Sequence, residues 1–177
     1  FLSHAFGEES VGLYQLIFPV YALCLSISTA GIQTAVSRMT AEKISKGQKE
    51  EAGNVLRTAL CLTLILSFAE VLLIQQNAPA IAETFLGDPR CTEMLVIISY
   101  ALPCAAVHSC ICGYSFGLQH AKLPAFSQLI EQTSRILFVV LLFTFMKNTG
   151  RAPSIQLAAA GVVAGEFASA MFSARLL

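Results

Sequence analysis

Five apolar stretches of about 20 residues or more alternate with short polar breaks along almost the whole of this 177-residue chain, at 11–36, 55–77, 94–116, 124–146 and 155–176. An apolar helix of about 20 residues crosses the ~30 Å hydrocarbon core of a bilayer. Five in succession leave little material for a soluble domain. The pattern predicts an all-α, polytopic transmembrane bundle. A soluble helical bundle would show a charged face at every turn. Here Leu60–Phe68 and Ile136–Met146 hold no charged residue. Charged residues make up 12% of the chain, against about 25% in an average soluble protein.

Eleven basic and eleven acidic residues balance to zero, so nucleic acid is not an expected partner. Their distribution is informative. Arg38, Lys43, Lys46, Lys49 and Arg57 crowd the break between the first two spans, and Lys122 and Arg175 fall on the same side. Arg90, Lys147 and Arg151 fall on the other. Cytoplasmic loops carry the excess of Lys and Arg. The 38–57 segment is therefore expected in the cytoplasm, with 1–10, 78–93 and 147–154 outside. The short, basic, helix-prone loop 41–53 reads as a topology determinant or as a contact for anionic headgroups.

Cys24, Cys61, Cys104, Cys110 and Cys112 lie inside apolar spans, where a thiol acts as a small apolar group. Cys110 and Cys112 point to different helix faces, and Cys91 stands alone outside. Neither a disulfide framework nor a metal site is expected, and no cofactor. No loop gathers the Asp, His or Lys cluster of a membrane-embedded enzyme, so no catalytic activity is expected.

The function must be read from polar groups inside the spans. The first carries Pro19 and a stripe of Gln15, Pro19, Ala22, Ser26, Thr29, Gln33 and Ser37 on one helical face. Such a stripe packs closely on a neighbour or lines an aqueous cavity. The second span holds Glu70. The third has Pro103 at its middle, His108 a turn further on, and the close-contact pair Gly113 and Gly117. His108 reads as a packed, hydrogen-bonded residue. In the fourth span Gln128, Glu131, Gln132 and Arg135 fall at i, i+3, i+4 and i+7, one continuous polar face. Arg135 lies ~16 Å from the span's start at Pro124, near the midplane, where a charge costs ~2.5–3.5 kcal/mol or more. Glu131 stands in the favourable i, i+4 order to it. A neutralised structural pair and a hydrophilic cavity both fit. The last span has a seam of Ala158, Gly161 and Gly165, then Glu166, an intramembrane acid suited to proton or cation handling.

These residues together resemble a known group. Gly7-Glu8-Glu9-Ser10-Val11-Gly12-Leu13-Tyr14, Ala35-Val36-Ser37-Arg38, Gly113-Tyr114 with Gly117 and Gln119, Ser127-Gln128-Leu129-Ile130-Glu131-Gln132 with Arg135, and Ala158-Ala159-Ala160-Gly161 with Gly165-Glu166 resemble the stage V sporulation protein B branch of the polysaccharide-exporter flippases, in the MATE-like superfamily. The resemblance runs in order across nearly all of the chain. It implies two helical bundles around a central cavity, of which residues 1–177 form most of the first, lacking most of its first helix and the whole C-terminal bundle. It implies alternating-access movement of undecaprenyl-linked sugar precursors across the bacterial cytoplasmic membrane, for cell wall, spore cortex or surface polysaccharide. The expected partners are that lipid-linked oligosaccharide and the membrane lipids. The expected cavity residues are Arg135, Glu131, Gln128, Gln132, Arg38 and Gln33, with Glu166 and Glu70 as coupling acids. The sequence departs from the family at Cys112 and Phe116, where a basic residue and a glutamine are usual. The rival functions are a drug or cation antiporter of the same fold and a non-transporting membrane assembly protein.

Overall fold

The computed structural model describes residues 8–29, 31–148 and 155–176, and all regular structure in them is helical. Residues 1–7, where the end of the bundle's first helix is expected, lie outside these residues, as does most of the expected outer loop 147–154. The helices are α1 (Glu8–Thr29), α2 (Ile32–Ser45), α3 (Lys49–Ile81), α4 (Cys91–Ser99), α5 (Ala101–Gly117), α6 (Lys122–Asn148) and α7 (Gln156–Arg175). Among the described residues, five units, each a single helix or helices joined in line, are long and apolar enough to cross a membrane: 12–45, 49–86, 91–117, 122–148 and 156–175.

Two of the five are broken. The first apolar stretch is not one helix. Its axis is interrupted after Thr29, and Gly31 takes a left-handed φ of 76° just before α2. Pro19 leaves α1 unbroken. The third stretch divides at Tyr100, three residues before Pro103. A proline ring collides with the carbonyl four residues back and offers it no N–H, and that carbonyl belongs to Ser99, the last residue of α4.

The polar breaks are shorter than the sequence suggests, because the spans run on past their apolar parts. Most of the basic 41–53 segment is helix, and the turn is Lys46-Gly47-Gln48. Gly47, at φ 76°, closes α2: its N–H bonds to Ile44 O and that of Gln48 to Lys43 O, the pairing that satisfies orphan carbonyls at a helix end. Lys43 pairs with Glu51 across the turn, and Lys46 with Glu42 at 2.5 Å. At the other end α3 passes into a single π-helical turn, Ala82–Leu86, and stops at Gly87, φ 71°. Asp88 then accepts the Arg90 N–H at 2.9 Å and pairs with its guanidinium at 2.8 Å. That hydrogen bonding holds the Asp88 carboxyl below its usual range. Cys91, expected outside, opens α4 fully buried, and all six cysteines are free thiols.

Two apolar cores hold the bundle, one toward each end. Leu13, Ile17 and Tyr21 of α1 meet Val71, Ile74 and Ala78 of α3, Met94, Leu95 and Ile98 of α4, Leu102 of α5, and Ala159 and Val162 of α7. At the other end Val36 of α2 meets Leu56 and Ala59 of α3 and Cys110 of α5. The break at Gly31 is therefore where one unit passes from the first core to the second. In α1 the buried residues Leu13, Ile17, Tyr21 and Ser28 recur at steps of four and seven. The expected small and polar stripe lies elsewhere: Gln15, Pro19, Ala22 and Ser26 are exposed. That part of the stripe makes no close helix contact among the described residues.

The glycine pairs do make such contacts. A Cβ on Gly113 would lie 2.6 Å from the Gln33 carbonyl oxygen, and one on Gly117 would lie 2.7 Å from that of Ser37. Both let α5 press against α2. Gly161 and Gly165 seat α7 on α6 in the same way, against Val139 and Glu131.

Candidate functional site: a polar cavity between the spans

The break at Gly31 and the two close glycine contacts leave a cavity of about 400 Å³ between α1, α2, α5, α6 and α7. Its polar lining includes Thr29, Gln33, His108, Ser109, Gln128, Glu131 and Glu166. Of the eight residues expected from sequence, it brings together Gln33, Gln128, Glu131 and Glu166. Arg135 stands beside them through its partner. Arg38 and Gln132 are exposed and lie apart from the lining.

The Arg135–Glu131 pair forms within α6. Arg135 Nη2 donates to Glu131 Oε1 at 2.6 Å, and the two side chains are only 23% and 12% exposed. Arg135 Nε is buried with no hydrogen-bond partner among the described residues. The guanidinium therefore keeps an unused donor in a poorly hydrated place.

Glu166 is 6% exposed and receives the Tyr21 hydroxyl at 3.2 Å on Oε1. Two carboxylates, Glu131 and Glu166, thus share the neighbourhood of one guanidinium. His108 completes the group: its nearest ligand-type atom and one oxygen of each carboxylate lie within 4.8 Å of one another. His108 Nε2 bonds to Ser127 Oγ at 2.8 Å, and the Ser127 hydroxyl donates to Pro124 O at 2.9 Å. His108 is hydrogen-bonded, as its place in the span suggests, but it also faces the cavity.

Glu70 stands away from this group. It accepts a hydrogen bond from Ser28 of α1, just before the Gly31 break, and its Oε1 is buried without a partner among the described residues. Gln33 Oε1 accepts from Ser109 at 3.4 Å.

Sequence reasoning missed Tyr21, Ser127 and Ser28. The signal for Tyr21 is present: it follows Leu13 and Ile17 at steps of four, so it shares their buried face. A hydroxyl on a buried face finds a partner. Which partner depends on α7, 145 residues away in sequence.

Apolar spans around a polar, partly open cavity define a polytopic helical membrane protein. The chain belongs to the polysaccharide biosynthesis protein family, whose profile matches residues 2–177. It is 35% identical over 170 residues to stage V sporulation protein B of Bacillus subtilis (strain 168), covering 94% of this chain and 32% of that protein. It is 28% identical over 142 residues to the lipid II flippase MurJ of the same organism, covering 76% of this chain and 26% of that protein. The chain thus spans about a third or less of the length of these relatives. No solved structure matches it significantly.

Proposed function

We propose that this chain forms one wall of a flippase that moves undecaprenyl-linked sugar precursors across the bacterial cytoplasmic membrane by alternating access. A second helical bundle of the same protein supplies the facing wall. No bond is made or broken. The observation that carries this reading is the half-buried Arg135, held by Glu131 at the edge of the polar cavity with its Nε unpaired. A lipid pyrophosphate entering a low-dielectric space needs a cation there. A guanidinium offers a fork that matches phosphate oxygens. Family membership and the flippase among the relatives support the same class.

Glu131 orients Arg135, and Glu166 is the acid that couples transport to an ion or proton, with Glu70 as the second candidate. Gln128 and Gln33 offer neutral hydrogen bonds to sugar or phosphate from the cavity wall. One observation favours a second reading, a drug or cation antiporter of the same fold: the cavity gathers two carboxylates against one guanidinium.

The test is export of lipid-linked precursor by the full-length protein in a flippase-deficient strain. Arg135→Ala abolishes export while membrane insertion survives, and Arg135→Lys retains part of it. Unchanged export with Arg135→Ala, or drug resistance without precursor export, removes the flippase reading.

A further inference from the structure

His108, Glu131 and Glu166 come from three different helices, α5, α6 and α7, and converge on one point of the cavity wall. We propose that this trio binds a divalent first-row transition cation of the Zn²⁺ or Mn²⁺ class.

Three observations carry the site. The first is geometric. One ligand-type atom from each residue lies within 4.8 Å of the others. Nitrogen and oxygen ligands bind such ions at ~2.1 Å, so ligands of one ion stand about 3–4 Å apart. Small rotations of three side chains close that difference, and the 400 Å³ cavity leaves room for water at the remaining positions.

The second is the donor count. When the Ser127 proton goes to the Pro124 carbonyl, His108 Nε2 is the donor in its bond to Ser127 Oγ. The neutral ring then keeps its lone pair on Nδ1. An N–H held by a hydrogen bond, with the other nitrogen bare, is the arrangement of a metal-binding histidine. Glu166 is likewise half engaged. Tyr21 holds Oε1, and the residue is 6% exposed and lines the cavity.

The third is charge. When both are ionised, Glu131 and Glu166 set two negative charges against the single guanidinium of Arg135. An ionised, uncompensated carboxylate inside a membrane protein is strongly unfavourable, and a proton or a bound cation relieves it. The donor set chooses among cations. An imidazole nitrogen suits zinc and its first-row neighbours, and two carboxylates extend the range to Mn²⁺, whereas Mg²⁺ and Ca²⁺ prefer oxygen alone.

Arg135 sets the sharpest consequence. It occupies Glu131 Oε1 at 2.6 Å, so the metal and the guanidinium compete for one carboxylate. Removing the guanidinium must tighten metal binding, which no purely structural role of these residues would produce.

The experiment titrates Mn²⁺ into the detergent-purified full-length protein and follows loss of the free-ion EPR signal, with Zn²⁺ as competitor. One Mn²⁺ per protein is expected, displaced by Zn²⁺. Glu166→Gln keeps the Tyr21 contact but removes the charge, and His108→Ala removes the nitrogen. Each weakens binding by about 10–100-fold, the scale of outer-sphere losses alone. Arg135→Gln tightens binding by about tenfold, the release of one competing hydrogen-bonded charge. Binding unchanged in Glu166→Gln and His108→Ala, or weakened in Arg135→Gln, overturns the proposal, as does no binding of Mn²⁺ or Zn²⁺ below the millimolar range. None of these readouts involves transport, so they stand or fall separately from the flippase reading.

Discussion

Gly165 lies directly beneath Arg135: a Cβ at position 165 would come 3.2 Å from Arg135 Cβ and 2.9 Å from the Glu131 carbonyl oxygen. The charged pair of α6 is therefore set against the backbone of α7 with no side chain between. Glu166, the next residue, is brought by the same contact into the cavity that Glu131 lines. A missing side chain positions the site.

Gly165→Ala should push α7 away from α6. Overpacking of this kind costs about 1–3 kcal/mol. The melting temperature of the full-length protein in detergent should fall, and with it the close approach of Glu166 to Glu131. Gly53→Ala, where a Cβ meets nothing within 4 Å, is the control and should be neutral or slightly stabilising. Equal effects at the two positions would refute the packing argument.

Glu131→Gln and Arg135→Gln should each lower protein level, since either leaves a half-buried charge without its partner, a loss of up to ~3–5 kcal/mol for a buried pair. The double variant should recover the level. Export separates the roles: a double variant with normal level and no export places Arg135 on the substrate, whereas full export reduces the pair to a structural one.

Tyr21→Phe deletes the hydroxyl that meets Glu166 and nothing else of the ring. A buried carboxyl losing this hydrogen bond should destabilise the protein by ~1–3 kcal/mol, read as a shift in thermal unfolding in detergent. No shift would mean that Glu166 finds another donor.

Topology follows from the charge asymmetry. A single cysteine in place of Lys46, in the turn between α2 and α3, should resist labelling by an impermeant reagent in intact cells, and one in place of Asp88 should react. The native cysteines are replaced first. The opposite pattern would invert every span.

The five apolar stretches were legible because the bilayer imposes length and apolarity on each span separately. The i, i+4 order of Glu131 and Arg135 was legible for a similar reason: one helix suffices to bring them together. Gly113, Gly117, Gly161 and Gly165 announced close contacts, though not their partners. Tertiary packing decided the rest. Whether the stripe of α1 faced a neighbour depended on where α3, α4 and α7 lie, and Gln15, Pro19, Ala22 and Ser26 ended exposed. The meeting of His108 with Glu131 and Glu166, and of Tyr21 with Glu166, joins residues on separate helices, and only the packing of those helices sets the distances. Local helical periodicity encodes which groups share a face; it carries no term for which face of another helix they will meet.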